Sequence, residues 1–247
     1  MRSAKAFACL SVLVLFCLQT SSSQDEVGAI KKILSACRKS SPDFDACIRK
    51  AMNKIRPYFK QGIPEMGVAP FDPHFASEVK QKRAFLGLGY MLTLRNVYER
   101  GWTQSTVTKY KTDWANKQII YSQYFPEKSL NGEYDFKGDA FGIGLPGAGA
   151  WNLTLRDYSQ TTRIKRNGTG LNVHIEIDHI GDMEIHVGNL LRGRMILETM
   201  LDRVINASWK PGFAMIRPLI NELVSTAFTD IWSKSFKNFP LEEFIRD

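Results

Sequence analysis

From Val173 to Val187 apolar and polar side chains alternate almost without a break, and no other feature limits the fold so strongly. Val173, Ile175 and Ile177 alternate with His174, Glu176 and Asp178, and the pattern resumes at Met183, Ile185 and Val187. Period 2 with one apolar face marks an antiparallel strand covered on one side and wet on the other. The interruption at His179-Ile180-Gly181 predicts a three-residue hairpin closed by glycine, with Ile175 facing Ile185 and Ile177 facing Met183. Leu86, Leu88, Tyr90, Leu92 and Leu94 alternate in the same way, as do Leu153 and Leu155. Asn131-Gly132 and Asn167-Gly168 read as turns. Strands at this rhythm over residues 82–188, with no helical stretch between them, predict a meander rather than βαβ units.

The flanking segments have helical spacing. Val27, Ile30, Ile33, Leu34 and Cys37 recur at that spacing. Ser41-Pro42 then predicts a cap and first turn for a second helix carrying Phe44, Cys47, Ile48, Ala51, Met52 and Ile55, with Pro57 ending it. Near the C-terminus, apolar pairs fall every four residues: Met215-Ile216, Leu219-Ile220, Leu223-Val224, Ala227-Phe228 and Ile231-Trp232. On a helix of 3.6 residues per turn that repeat advances about 40° per step, so the stripe winds. A winding stripe predicts burial on successive sides, as when a curved sheet wraps a rod, with Pro218 starting or kinking the main segment. The fold class expected is α+β: a strongly curved antiparallel sheet around a long C-terminal helix, a short N-terminal helical pair, and an apolar tunnel where sheet and cylinder fail to mate.

The first residues predict a secreted chain. Arg2 and Lys5 precede an apolar run from Ala6 to Leu18, followed by Thr20-Ser21-Ser22-Ser23, the layout of a signal peptide spanning residues 1–23. The run is short for an anchor, which needs roughly 20 apolar residues. Residues 24–247 then form one domain, expected to be monomeric. Loss of Cys9 and Cys17 would leave only Cys37 and Cys47. Two thiols in an oxidising compartment, with no neighbouring histidine to make a zinc site, predict one disulfide. Sequons at Asn152, Asn167 and Asn206 agree with secretion.

Composition narrows the function classes. Hydrophobic content of 44% and charged content of 23% exclude a disordered tail or a collagen. Net charge of +8, or +6 without Arg2 and Lys5, admits contact with an anionic lipid surface. The basic residues are scattered, without an aromatic-interleaved stripe, so no nucleic-acid partner is expected. Gly142-Ile143-Gly144-Leu145-Pro146-Gly147 fits GxGxxG, but Trp151–Leu155 after it reads as strand, where a dinucleotide site needs a helix. His174, Glu176, Glu184 and His186 share the polar face of the expected hairpin, and a solvated face is their simplest reading, so no metal is assigned. No catalytic residues and no cofactor are expected.

The whole chain after the leader resembles a known family. The residues that carry this are Cys37…Cys47-Ile48…Ile55-Arg56-Pro57, then Gly62-Ile63-Pro64-Glu65-Met66-Gly67-Val68…Phe71-Asp72-Pro73. The Gly142–Gly149 run, Asn189-Leu190-Leu191, Asn206…Trp209 and Phe236…Phe239-Pro240 follow in the same order. Together they resemble the insect takeout/juvenile-hormone-binding protein family. The resemblance implies a curved sheet around a C-terminal helix, related to lipid-transfer modules of the bactericidal/permeability-increasing type. It also implies a secreted, non-enzymatic carrier of a small hydrophobic ligand, such as a juvenile-hormone-like terpenoid or a fatty-acyl lipid. The single bridge left after cleavage is similar to takeout, since the hormone-binding proteins proper carry a second. The expected lining of the tunnel is Val173, Ile175, Ile177, Met183, Ile185, Met215, Leu219, Leu223, Phe228 and Trp232. The alternatives are a module of the same architecture that binds an anionic membrane surface, and a secreted lipid esterase.

Overall fold

A computed structural model describes residues 26–85, 88–140, 143–167, 170–189 and 195–235. The expected leader (1–23), the tip of the Asn167-Gly168 turn and the closing Phe236…Pro240 lie outside the described residues.

The N-terminal pair forms as the apolar spacing requires. Residues 26–34 are helical (α1) and bury Ile30 and Leu34. A second helix, α2 (Phe44–Ile55), buries Phe44, Ile48, Ala51 and Ile55 on one stripe. Its start falls later than Ser41-Pro42 predicts. Ser41 Oγ accepts from Asp43 N at 3.3 Å and Ser41 O from Phe44 N at 3.1 Å, so Ser41 closes a turn ahead of the helix. Pro57 sits in the 3-10 turn Arg56–Phe59 that ends it. Cys37 and Cys47 are joined in a disulfide between the two helices.

One six-stranded antiparallel sheet forms the body: β1 (His74–Phe85), β2 (Leu88–Arg100), β3 (Thr106–Asp113), β4 (Gln118–Ala140), β5 (Ile143–Asn167) and β6 (Gly170–Val187). Its order is β1-β2-β4-β5-β6, with β3 paired to β4 beyond the end of β2. At ~3.3 Å per residue, β5 alone traces roughly 80 Å, so these strands bend around the body.

Two expected turns are strand interior instead. No hairpin forms at His179-Ile180-Gly181; β6 runs unbroken through it, and Ile175 and Ile185 face Thr162 and Leu153 of β5 rather than each other. The lapse in alternation marks a bulge: the β5–β6 register shifts between Ser159 and Gln160, and Asp157 has φ 49°. Gly181 is required because a Cβ there would meet Asp157 Cβ at 2.7 Å. Asn131-Gly132 likewise lies within β4. A Cβ on Gly132 would come within 2.8 Å of Arg95 O, where β2 bulges between Arg95 and Tyr98. In both places glycine permits a close strand approach, which sequence pattern alone does not separate from a turn.

The C-terminal helix, α3 (Met195–Ser235), begins twenty residues before Met215. It kinks at Ser208 (φ −127°, ψ 22°), not at Pro218, which continues the helix. The break falls one turn ahead of Pro211, which has no N–H to give and whose ring crowds the preceding turn. Ser208 Oγ bonds back to Val204 O at 2.7 Å.

The helix then closes the sheet. Along β6, Val173 N donates to Thr229 Oγ1 (3.0 Å), Ile175 N to Ser225 Oγ (2.8 Å) and Ile177 N to Asn221 Oδ1 (3.2 Å). Beyond the kink, Asn206 accepts from Ile185 N (2.9 Å) and donates to Ile185 O (3.0 Å). Four helical residues rise about 6.0 Å and two strand residues about 6.7 Å, so the rungs at 221, 225 and 229 stay in step with 177, 175 and 173. On the opposite edge, Gln81 Nε2 of β1 donates to Leu219 O (3.0 Å), and Arg83 pairs with Glu222 (Nε–Oε2 3.0 Å). Both sheet edges thus meet one helix, and the result is a tube. Among the described residues, no helix is long and apolar enough to cross a membrane.

Two stability outcomes are expected. The Cys37–Cys47 loop is short, so Cys47→Ser should cost about 2–3 kcal/mol by the loop-entropy relation. Calorimetry should then show a midpoint lower by roughly 5–10 °C, and an unchanged midpoint would contradict this. Ser225→Ala combined with Thr229→Val strands two backbone N–H groups of β6. It should lower unfolding free energy by about 2–4 kcal/mol in urea titration, whereas the exposed Thr226→Val should do almost nothing.

Candidate functional site

The inward side chains of the tube do not fill it. A cavity of about 730 Å³ runs along α3, bordered by Leu92 and Leu94 of β2, Tyr134 and Phe136 of β4, Leu153 and Leu155 of β5, and Ile220, Leu223, Val224 and Ile231 of α3. Alternation puts one side chain in two on this face of each strand, and successive strands supply the wall. A second cavity of about 290 Å³ lies under the N-terminal helices, bordered by Leu34, Ile48, Met52, Val107, Ile119 and Ile164. Here α2 is held on β3 by Asn53, which accepts from Val107 N (2.8 Å) and donates to Val107 O (3.0 Å).

An aromatic wall stands between the two spaces. Trp102 borders the smaller cavity and Phe228 the larger, and their ring centroids are 5.4 Å apart. Phe125, fully buried, packs on Trp102 at 5.4 Å and on Tyr158 at 5.5 Å. The turn carrying Trp102 is pinned by Asp72, whose carboxylate accepts from Gly101 N (3.2 Å), Thr103 N (2.9 Å) and Thr103 Oγ1 (2.5 Å).

The expected lining residues are distributed as follows. Ile177, Ile185, Leu223 and Phe228 border the larger cavity, and Trp232 borders the smaller. Val173 and Ile175 are buried beneath the helix rungs, and Met183 is packed against the core. Leu219 is half-buried at the β1 seam. Met215 does not line the tunnel: it is 58% exposed, and Ile216 beside it is 40% exposed. The winding stripe explains both. The helix bridges two edges and keeps an outer face, so a stripe that turns about 40° per step reaches solvent at its N-terminal end.

His174, Glu176, Glu184 and His186 all lie on the wet face of β6, but since β6 is a single strand the first two sit toward one end and the last two toward the other, so the four are not cross-strand neighbours. Among the described residues no cluster of His, Cys, Asp or Glu suits a metal ion. Gly142 lies outside the described residues; from Ile143 onward the GxGxxG run lies in β5 and pairs with β4, without a following helix. Asn152 is exposed on β5 and Asn167 ends that strand. Asn206 is engaged at β6 through both amide atoms, and a glycan on Nδ2 would take the donor that Ile185 O uses.

Sequence reasoning missed the polar groups of the interior. Lys128 is 4% exposed and borders the larger cavity with His74, Glu99 and Tyr158. A lone lysine or glutamate in an alternating strand carries the signature of a wet face, so nothing in the pattern marks these as buried. In the smaller cavity, Arg56 donates to Ser105 O and, at 2.7 Å, to Ser105 Oγ, and burial lowers its pKa to about 10. Burial also pushes the Tyr121 hydroxyl up to about 12, a bond to Thr162 opposing, and raises Tyr158 further, with Glu99 adding to the shift.

The geometry defines a class: a sheet-and-helix tube with an apolar, ligand-sized interior. Within that class the chain is placed by its match, over residues 12–246, to the family model described as haemolymph juvenile hormone binding protein, and it belongs to that family. The crystal structure of Epiphyas postvittana Takeout 1 shares the fold, with a TM-score of 0.60 at 19% identity over 85% of this chain and 98% of that one. A lipopolysaccharide binding protein structure aligns with a TM-score of only 0.28 at 9% identity, over 76% of this chain and 37% of that one. No curated protein sequence matches.

The buried tyrosines give a pH test. A hydroxyl whose pKa is raised on folding contributes stability that is complete below about 10 and is lost as pH climbs toward the folded value. Arg56, lowered by burial, acts with the opposite sign; Tyr121 partly offsets that lowering, so its loss moves Arg56 further down and adds to the difference between variant and parent in the same direction. Tyr121→Phe should therefore lose less stability between pH 10 and 12 than the parent in denaturant titrations. Equal losses would show that Tyr121 does not carry the effect.

Proposed function

We propose that this protein is an extracellular, non-enzymatic carrier that holds one elongated apolar small molecule in the larger cavity. The observation that carries this reading is the cavity itself: about 730 Å³, walled by aliphatic and aromatic side chains from strands and helix together. That volume falls within the roughly 300–1,000 Å³ of small-molecule sites. A ligand burying about 400 Å² of apolar surface gains roughly 10 kcal/mol before the entropy cost of association. A juvenile-hormone-like terpenoid or a fatty-acyl lipid suits the space. Family membership and the takeout fold support a carrier rather than an esterase. The disulfide and the exposed sequon at Asn152 support secretion.

A second reading, docking on an anionic lipid surface, draws on the outer face of α3. There Met200, Val204 and Met215 are exposed alongside Arg203, Lys210 and Arg217. Apolar side chains flanked by basic ones suit an interfacial contact, with or without cargo inside.

Native mass spectrometry of the purified protein with organic extraction should show one small apolar molecule per chain. Ala227→Trp, which puts a large ring into the cavity wall, should weaken binding of an apolar fluorescent probe by about tenfold or more, by the cost of overpacking. Met215→Trp, on the outer face, should leave it unchanged. Cargo-free protein that binds no probe, yet sediments with phosphatidylglycerol vesicles in a salt-sensitive way, would favour the second reading.

A further inference from the structure

Among the described residues, most polar side chains that border the larger cavity gather in one place, while Tyr134 elsewhere on the wall spends its hydroxyl on Gly188 O at 2.9 Å. At its inner limit, beside the aromatic wall, four strands contribute one polar side chain each: His74 from β1, Glu99 from β2, Lys128 from β4 and Tyr158 from β5. All four are buried. Lys128 Nζ lies 2.5 Å from Glu99 Oε1 and 3.4 Å from Gln160 Oε1, and otherwise faces the rings of Phe125 (4.6 Å) and Trp102 (4.9 Å). Gln160 Oε1 is also taken by the Tyr158 hydroxyl at 2.8 Å.

Two acceptors in this cluster lack an aligned hydrogen-bond donor. The Lys128–Glu99 contact is ionic rather than an aligned hydrogen bond, so Glu99 Oε1 has no hydrogen-bond donor directed at it. His74 Nδ1 faces Pro70 O at 3.4 Å and donates to it, since a carbonyl only accepts. In the neutral ring that leaves Nε2 as a lone-pair acceptor, buried and without a partner. A buried ion pair and the unpartnered His74 Nε2 beside it cost stability that an apolar plug would not, so packing alone gives no reason for them.

We propose that this cluster seats the polar end of the cargo and selects an uncharged head bearing a hydroxyl, in preference to an ester or a free carboxylate. The inference rests on the carrier reading and adds the chemical class of its ligand. A hydroxyl donates to Glu99 Oε1 or His74 Nε2 and accepts from Lys128. An ester offers no donor to the two acceptors. A carboxylate brings a second anion beside Glu99, whose charge already neutralises Lys128, in a site with little water to screen it.

The test is competition against an apolar fluorescent probe by four ligands of equal chain length at neutral pH: dodecanol, methyl laurate, laurate and dodecane. Dodecanol should bind about tenfold or more tighter than laurate, with the ester and hydrocarbon between, one like-charge contact being worth at least that factor. Glu99→Gln removes the anion and frees Lys128 for a carboxylate, so laurate should gain about tenfold relative to dodecanol. If laurate matches dodecanol in the parent, or Glu99→Gln leaves their ratio unchanged, the proposal is overturned. Should Glu99→Gln not fold, Glu99→Leu with Lys128→Met replaces the pair by apolar side chains of similar volume, a change buried pairs tolerate. That variant should bind all four ligands with similar affinity, and retained head preference would again overturn the proposal. Binding of probe and dodecane without head preference overturns this inference and leaves the carrier reading standing. Failure of the probe and all four chains to bind overturns both.

Discussion

The hydrogen bonds from α3 to the free edge of β6 hold the molecule in its shape. A sheet edge is a row of open N–H and C=O groups, and such rows are normally blunted or paired with another strand. Here a helix does the pairing with Asn221, Ser225 and Thr229. The opposite edge meets the same helix through Gln81 and Arg83. The sheet is therefore bent into a tube without closing strand to strand. Because the rungs are side chains, they hold the helix off the strand, and the interior keeps its width.

That width explains why a folded protein has so much empty space. A flat sheet and a helix pack face to face with interdigitated side chains and few voids. In this tube the helix serves as one stave of the wall, and the facing side chains leave about 730 Å³ between them. Between the two cavities the space is interrupted by aromatic side chains large enough to span it, Trp102, Phe125, Tyr158 and Phe228. The same wall shelters Lys128 and Glu99. The rings offer Lys128 their negative faces, and Glu99 supplies the counter-charge. The polar end of the cavity and its aromatic partition are thus one construction.

Much of the architecture was legible in the chain. Period-2 alternation located the sheet, the i, i+3 and i+4 spacing of Phe44, Ile48, Ala51 and Ile55 located α2, and the pairing of Cys37 with Cys47 followed from there being two thiols after the expected leader. Errors came where one local signal has two physical origins. Gly181 and Gly132 looked like turns because glycine marks turns, yet each is the residue that lets a neighbouring strand approach a bulge. Met215 looked like lining because it continues the apolar stripe, but the outer face of the helix claims it. For Lys128 and Glu99 no local signal existed at all.

Periodicity, punctuation and cysteine count are properties of neighbours along the chain. They sufficed to determine an antiparallel sheet, two short helices, one bridge and a long C-terminal helix. The cavity, its aromatic partition and its polar end depend on side chains that meet only after distant strands are bent together. Whether a lysine in an alternating strand faces water or four rings is decided by the curvature of the sheet. That curvature comes from twist, bulges and the helix that joins the two edges, and only the tertiary structure contains them together.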